Sequence, residues 1–443
     1  MRGSDFAAAL DRRWLLGLAV VAVVLTAGCA AAPGEQGEVN GYRADADIAV
    51  TFEDGLNDSE QEAVVSRAMA RIEVLRDQDF DRVAPVEVIT RAEFRNRTGG
   101  DTPDPSELSD RQLWNEQVWE ALHIVGEDET FPESRGTNRG SSVVGYYSSD
   151  NIVIVSDAET PQISRGTLVH ELVHALQDQR LGFGPNREFQ DGQLARRGVI
   201  EGEANYLEAL YRQRCDEGRW ECIPQVQRSG SRSRPDSFNQ ALFLVSFAPY
   251  AEGPNFIQAV ESRGGWDAVN DLYDDFPETT EQIIHPRKYP RESARDVSVP
   301  DRSTEAWSRF TDLDRPAADT VGEASIYAMF RGNGVITGGQ QYDYDHPLSA
   351  GWAGDSLVPY RNDDAYGYVW RTAWDSRAQA REFAEGYREL LDDQGARSLD
   401  EGRYRIDDGA FADAFRVTRD RDTVTVVNAP TPQGLDAVHE PAE

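Results

Sequence analysis

The run His170-Glu171-Leu172-Val173-His174 constrains this chain more than any other feature. Around it, Leu168, Leu172, Ala175 and Leu176 recur at the spacing of an amphipathic helix. Residues four apart in a helix stand one turn above each other on a single face. The two imidazoles therefore converge, Glu171 leans toward the same side, and the apolar stripe requires a core behind it. Thr160 and Pro161 supply a capping hydroxyl and a proline in the first turn, and Gly182, Gly184 and Pro185 supply a stop after about Leu181.

Two neutral imidazoles and a carboxylate form a zinc donor set with a fourth position left for water. The next helix offers the carboxylate. Its stripe is Ile200, Ala204, Leu207 and Tyr211, with Glu201 and Glu203 beside it. Positions two apart lie about 200° around a helix, so only one of these acids can face the ion. Gly198 and Gly202 are expected to let this helix close on the first. With 6 histidines in the chain, a chance histidine pair with glutamate in second place belongs to on the order of one such chain in a hundred. The competing reading is a surface helix with incidental histidines.

The segment His170 to Gln179, with Gly145-Tyr146-Tyr147 upstream, resembles a family of secreted zincin-like proteins of haloarchaea and some bacteria. Glu201-Gly202-Glu203-Ala204, 27 residues after His174, resembles the third-ligand region of gluzincin-type metallopeptidases. Gly264-Gly265-Trp266, Thr280-Glu281-Gln282, His285-Pro286-Arg287-Lys288-Tyr289 and Ala350 to Asp355 fit the same family. The resemblance implies that Glu201, the first acid of its run, is the third ligand. It implies Glu171 as general base in hydrolysis of a peptide or protein substrate, or else a zincin scaffold that binds without turnover. Asn205 stands where thermolysin-like members carry an aspartate that orients a histidine ligand; here it is an amide. His285 and Tyr289 are candidates to hydrogen-bond a transition state, against a purely structural turn at His285-Pro286. Tyr147 lies on a hairpin expected from Val143 to Tyr147 and Ile152 to Val155. In zincins such a strand pairs with extended substrate, against ordinary cross-strand packing.

Arg12 and Arg13 precede a 14-residue apolar stretch, Trp14 to Ala27, followed by Gly28 and Cys29. That length suits a signal peptide better than a membrane span of about 20 residues. Leu25 to Cys29 resembles a lipobox, so Cys29 is expected to carry lipid and hold the protein on the extracellular face of the membrane; an uncleaved signal anchor is the alternative. Cys215 and Cys222 are then the only other cysteines, and a disulfide is expected in an exported chain.

Acidic residues number 78 against 45 basic ones, of which only Lys288 is a lysine, for a net charge of -33. Such a charge repels phosphate and excludes nucleic acid as a partner, and it suits a hydrated surface in concentrated salt. The expected organisation is a signal peptide over 1–29, a flexible tether over 30–45, a zincin-like unit over 46–298 and an α+β unit over 299–443. The fold class is α+β: an edge hairpin and active-site helix, a mostly helical middle part, and a smaller C-terminal α+β unit. In that last part Tyr366 to Thr372 reads as a strand, and Asp375 or Ser376 as the cap of a helix through Ala380, Phe383, Tyr387, Leu390 and Leu391. Phe415 to Thr418 and Thr423 to Val427 read as a hairpin turning over Arg419 to Asp422.

Overall fold

A computed structural model describes residues 37–50, 56–98, 107–157, 162–224, 234–311, 313–363, 365–400 and 402–441. The expected signal peptide, Cys29 and the start of the expected tether lie outside the described residues. The tether reading fails at its end. Strands β1 (Glu38–Val39) and β2 (Tyr42–Arg43) form a small antiparallel hairpin, and Val39 is buried in the core cluster that also holds Met69 and Ile72. Val39 and Ala44 pack on this cluster, and Arg71 and Arg67 of α1 (Asp58–Arg76) donate to the Ala44 and Ala46 carbonyls, which docks a stretch without periodicity.

Helix α1 (Asp58–Arg76) starts in a capping box between Asn57 and Glu60. Strand β3 (Val86–Thr90) leads into α2 (Arg91–Thr98), α3 (Asp110–Ala121) and α4 (Phe131–Ser142). The expected hairpin forms as β4 (Gly145–Ser148) and β5 (Asn151–Ser156). β5 pairs antiparallel with β4 and parallel with β3, which leaves β4 on an edge.

Helix α5 (Arg165–Arg180) carries the histidines. Its cap is Ser164, whose hydroxyl accepts from the Thr167 amide, rather than Thr160, which with Pro161 lies outside the described residues. Helix α6 (Gln190–Asp216) buries Ile200, Ala204, Leu207 and Tyr211 as its stripe demands. Cys215 in its last turn is bonded to Cys222. Helix α7 (Gln240–Asp274) bends at Gly265 and precedes the short α8 (Thr280–Ile284).

Gly198 and Gly202 do permit close packing, but not against α5. A Cβ on Gly202 would lie 2.5 Å from the Gly253 backbone of α7, and one on Gly198 would lie 3.0 Å from Ile283 of α8. The glycines of α6 thus serve its packing on α7 and α8.

The remainder is β6 (Ser308–Arg309), α9 (Gly322–Gly332), β7 (Trp352–Asn362), β8 (Ala365–Trp374), α10 (Arg377–Asp393), β9 (Arg397–Ser398), β10 (Arg403–Arg405), β11 (Ala414–Asp420), β12 (Thr423–Ala429) and α11 (Gly434–Val438). Seven strands form one antiparallel sheet in the order β6-β7-β8-β12-β11-β10-β9. Ser376 caps α10. The hairpin turns over Arg421 and Asp422 alone, because Asp420 already pairs with Thr423 and Arg421 adopts a φ of 54°. Alternate residues face opposite sides: Tyr368 and Trp370 join α3, α7, α9 and α10, while Val369 and Val427 meet α11. One core cluster therefore runs from Val118 and Leu244 in the helical middle to Trp370 in the sheet. No helix among the described residues is long and apolar enough to cross a membrane.

Candidate metal centre

Three side chains converge between α5 and α6. His170 Nε2 and His174 Nε2 lie 3.1 Å apart, and Glu201 Oε2 lies 3.3 Å from the first and 3.2 Å from the second. The side chains are 10–12% exposed. Glu201 Oε2 is buried and makes no hydrogen bond of acceptable geometry. An ion held tetrahedrally at the usual bond of about 2.0–2.1 Å separates its ligands by about 3.3 Å. The three atoms already stand at that spacing, so the donor set fits zinc.

The three groups set one another's protonation. Burial opposes protonation of both imidazoles, yet Glu201 and Glu171 raise His170 to about 9 and raise His174 as well. Glu201 is held well below the ordinary carboxylate range by the two histidines, against its burial. A cation at their meeting point would take over this role and leave the imidazoles neutral.

Glu171 is 5% exposed, and burial raises its affinity for a proton while the two histidines lower it. Its carboxylate accepts from the Tyr147 backbone amide of edge strand β4. A Cβ on Gly145 would come within 3.0 Å of Glu171 Oε1, so the missing side chain lets the strand pass over the acid.

Glu203 faces the other way, as two positions of helix rotation require. It accepts hydrogen bonds from Arg76, Tyr273 and Gln177, all inside the core. Gln177 links this cluster to the centre: its Oε1 lies 2.8 Å from His174 Nδ1 and its Nε2 donates to the Ile200 carbonyl at 3.0 Å.

The remaining candidates lie elsewhere. The Tyr147 hydroxyl donates to Asp178 at 2.7 Å, so only its backbone reaches the site. His285 pairs with buried Glu323 at 2.9 Å, and the Tyr289 hydroxyl donates to the Asp275 carbonyl at 3.3 Å. Those two residues belong to the packing of α8 against α7 and α9. Asn205 donates to the Tyr250 carbonyl rather than orienting a histidine.

Tyr250 went unnoticed in the sequence. Its ring stacks on His170 with centroids 6.1 Å apart and planes 16° from parallel. Burial first, then the adjacent Glu201, push its phenol well above the ordinary range. It ends a row of stacked or tilted half-buried rings, Phe238, Phe243, Phe247 and Tyr250, with successive centroids 5.3–5.9 Å apart. The one available signal was the spacing 243, 247, 250 on one helical face, which reads equally as core.

Residues 308–439 match the model of a domain of unknown function, DUF8575. That span covers the C-terminal sheet and leaves His170, His174 and Glu201 outside. No curated protein and no solved structure matches the chain.

Proposed function

We propose that the protein is a zinc-dependent peptidase of the zincin type, lipid-anchored through Cys29 at the extracellular face of the membrane and acting on peptide or protein substrates. The observation that carries this reading is the convergence of His170, His174 and Glu201 on one point, with Glu171 buried beside it under a strand edge. A zinc ion held by these three residues supplies a Lewis acid that activates water and polarises a carbonyl.

The chain's own groups account for the remaining steps. Glu171, its proton affinity raised by burial, accepts the proton of the attacking water and returns it to the leaving amine. The Tyr147 amide and the space at Gly145 keep that carboxylate in place. Gln177 Oε1 accepts from His174 Nδ1, which would leave Nε2 free to hold the ion. The outer edge of β4 pairs with no other strand among the described residues, and an extended chain can lie along it. The Tyr250 ring, stacked on His170 with its hydroxyl bonded to Glu201, closes one side of the centre. Apolar side chains of the substrate have the Phe243 and Phe247 rings to rest on.

Zinc content and hydrolysis of a quenched-fluorescence peptide library, measured together on the parent and on Glu171→Gln, test the reading. The expected result is one zinc per chain in both proteins, with the rate in the variant lower by about 10² or more. Equal rates remove Glu171 from the mechanism. Zinc without hydrolysis in the parent leaves a binding protein on a zincin-like scaffold.

A further inference from the structure

The row of rings on α7 is accompanied by arginines. Asn239, Phe243, Phe247 and Tyr250 share one face of the helix by their spacing, and Tyr250 meets His170 at one end. At that end Arg197 Nη2 lies 3.8 Å from Glu201 Oε1, and its charge opposes the rise of the Tyr250 phenol. At the far end the Arg234 guanidinium lies 4.7 Å from the centre of the Phe238 ring and 5.2 Å from that of Phe243.

Helix α4 is fixed to the start of the row. Asn138 donates from Nδ2 to the Asn239 carbonyl at 2.8 Å and accepts from the Asn239 amide at 3.0 Å. Arg135, one turn before Asn138, shares its face, and Arg139 follows Arg135 by four positions. From Arg139 the chain runs on to Gly145, the first residue of the edge strand over Glu171. Arg135 keeps contact with solvent, yet burial and then the positive charges of Arg139 and Arg197 lower it from its ordinary value. The three arginines therefore gather in one region between α4 and α6.

Among the described residues Glu201 is the only acid that pairs with any of these four arginines. The acids of the region are engaged elsewhere: Glu133 caps α4, Glu129 accepts from Asn239, and Glu208 pairs with Arg212. In a chain of net charge -33 this face is a local reversal of sign. It complements a partner that brings carboxylates of its own, which the guanidinium fork takes in matching geometry. Arg197 and Arg234 stand at opposite ends of the ring row. That spread suits several side-chain carboxylates on an extended chain better than the single carboxylate of a C-terminus.

We propose that the face between α4 and the ring row of α7 selects an acidic polypeptide, held extended with aspartate or glutamate side chains on Arg135, Arg139, Arg197 and Arg234 and apolar ones on the rings. The inference rests on the peptidase reading of the His170 centre and adds to it the class of substrate.

Binding to full-length Glu171→Gln, in which turnover is suppressed, is read by fluorescence anisotropy with labelled peptides of one length. They carry phenylalanine at fixed positions and glutamate, glutamine or lysine at the others, in the lowest salt at which the protein keeps its fold. The glutamate peptide is expected to bind about tenfold or more tighter than the glutamine peptide, with the lysine peptide weakest. Adding Arg135→Gln and Arg139→Gln together should cut that preference about threefold or more. Should this variant fail to fold, Arg234→Gln, which changes an exposed residue ahead of α7, should cut it in the same direction. Arg377→Gln with Arg381→Gln removes the same charge from α10 and should keep the full preference. Amidating the C-terminus of the glutamate peptide should leave its affinity unchanged. Equal affinity for the glutamate and glutamine peptides overturns the inference. So does an equal loss in the α4 and α10 variants, which would make net charge the cause, or a preference that vanishes on amidation, which would assign it to a terminal carboxylate. Absence of zinc or of hydrolysis in the parent strikes the peptidase reading instead, since these affinities are measured without turnover.

Discussion

The Gln177 carboxamide oxygen lies 2.8 Å from His174 Nδ1, while its nitrogen reaches Glu203 Oε2 at 3.2 Å. One side chain therefore joins the histidine face of α5 to an ion pair buried behind it. The tautomer of His174 is set from that side: a proton on Nδ1, donated to Gln177, frees Nε2 for a metal.

Gln177→Ala removes this support without touching a ligand. Zinc affinity, measured by competition with a chromophoric chelator, should fall about 10- to 100-fold. Parent affinity in the variant would mean that helix packing alone orients His174.

Glu203 and Glu201 should fail in different ways. Glu201→Ala, like His170→Ala and His174→Ala, should lose zinc and keep the fold. Glu203→Ala leaves Arg76, 1% exposed, without its carboxylate partner, and removing one member of a buried pair costs about 3–5 kcal/mol. Its signature is a large drop in melting temperature. If Glu201→Ala is the unstable variant and Glu203→Ala the zinc-free one, the two assignments are reversed.

His123 should give the fold an acid-labile component. It is 3% exposed, and burial lowers it to about 3, against about 6.5 in the unfolded chain. With the folded value below the unfolded one, its contribution is complete above pH 6.5 and is lost as pH falls toward 3. The slope is about 1.4 kcal/mol per pH unit. Asp191, raised by burial to about 8, and Glu323, to about 7, act with opposite sign. Their stability is present at low pH and lost as pH rises through 7 to 8. His123→Asn separates the terms, since asparagine tolerates the φ of 50° found there. The stability difference between parent and variant, from denaturant titrations at several pH values, should shrink below pH 6.5; a flat difference would show that His123 is not held neutral.

Cys215 and Cys222 close a loop of only seven positions. The loss on removing so small a ring is about 2–3 kcal/mol. The double serine variant should melt a few degrees lower and bind zinc like the parent. Loss of zinc would show that the disulfide holds the ligand end of α6, which Glu201 leaves fourteen positions earlier.

Local chemistry made much of the fold legible. The helix through His170 and His174, the stripe of α6, the hairpin before α5 and the last hairpin each follow from short-range periodicity and turn residues, and each appears in the structure. The 11-residue strand β7 did not, because a centre strand buried on both faces lacks alternation.

What the sequence by itself determined is the placement of His170 and His174 on one helical face and the incompatibility of Glu201 and Glu203 as joint ligands, because helix geometry fixes both. Tertiary structure alone decided the surroundings: Tyr250 against His170, Gln177 reaching across to Glu203, and His285 and Tyr289 away from the two histidines. Those pairs are joined by packing between helices and strands far apart in the chain, and a contact that depends on which faces meet leaves no periodic trace in the residues that make it.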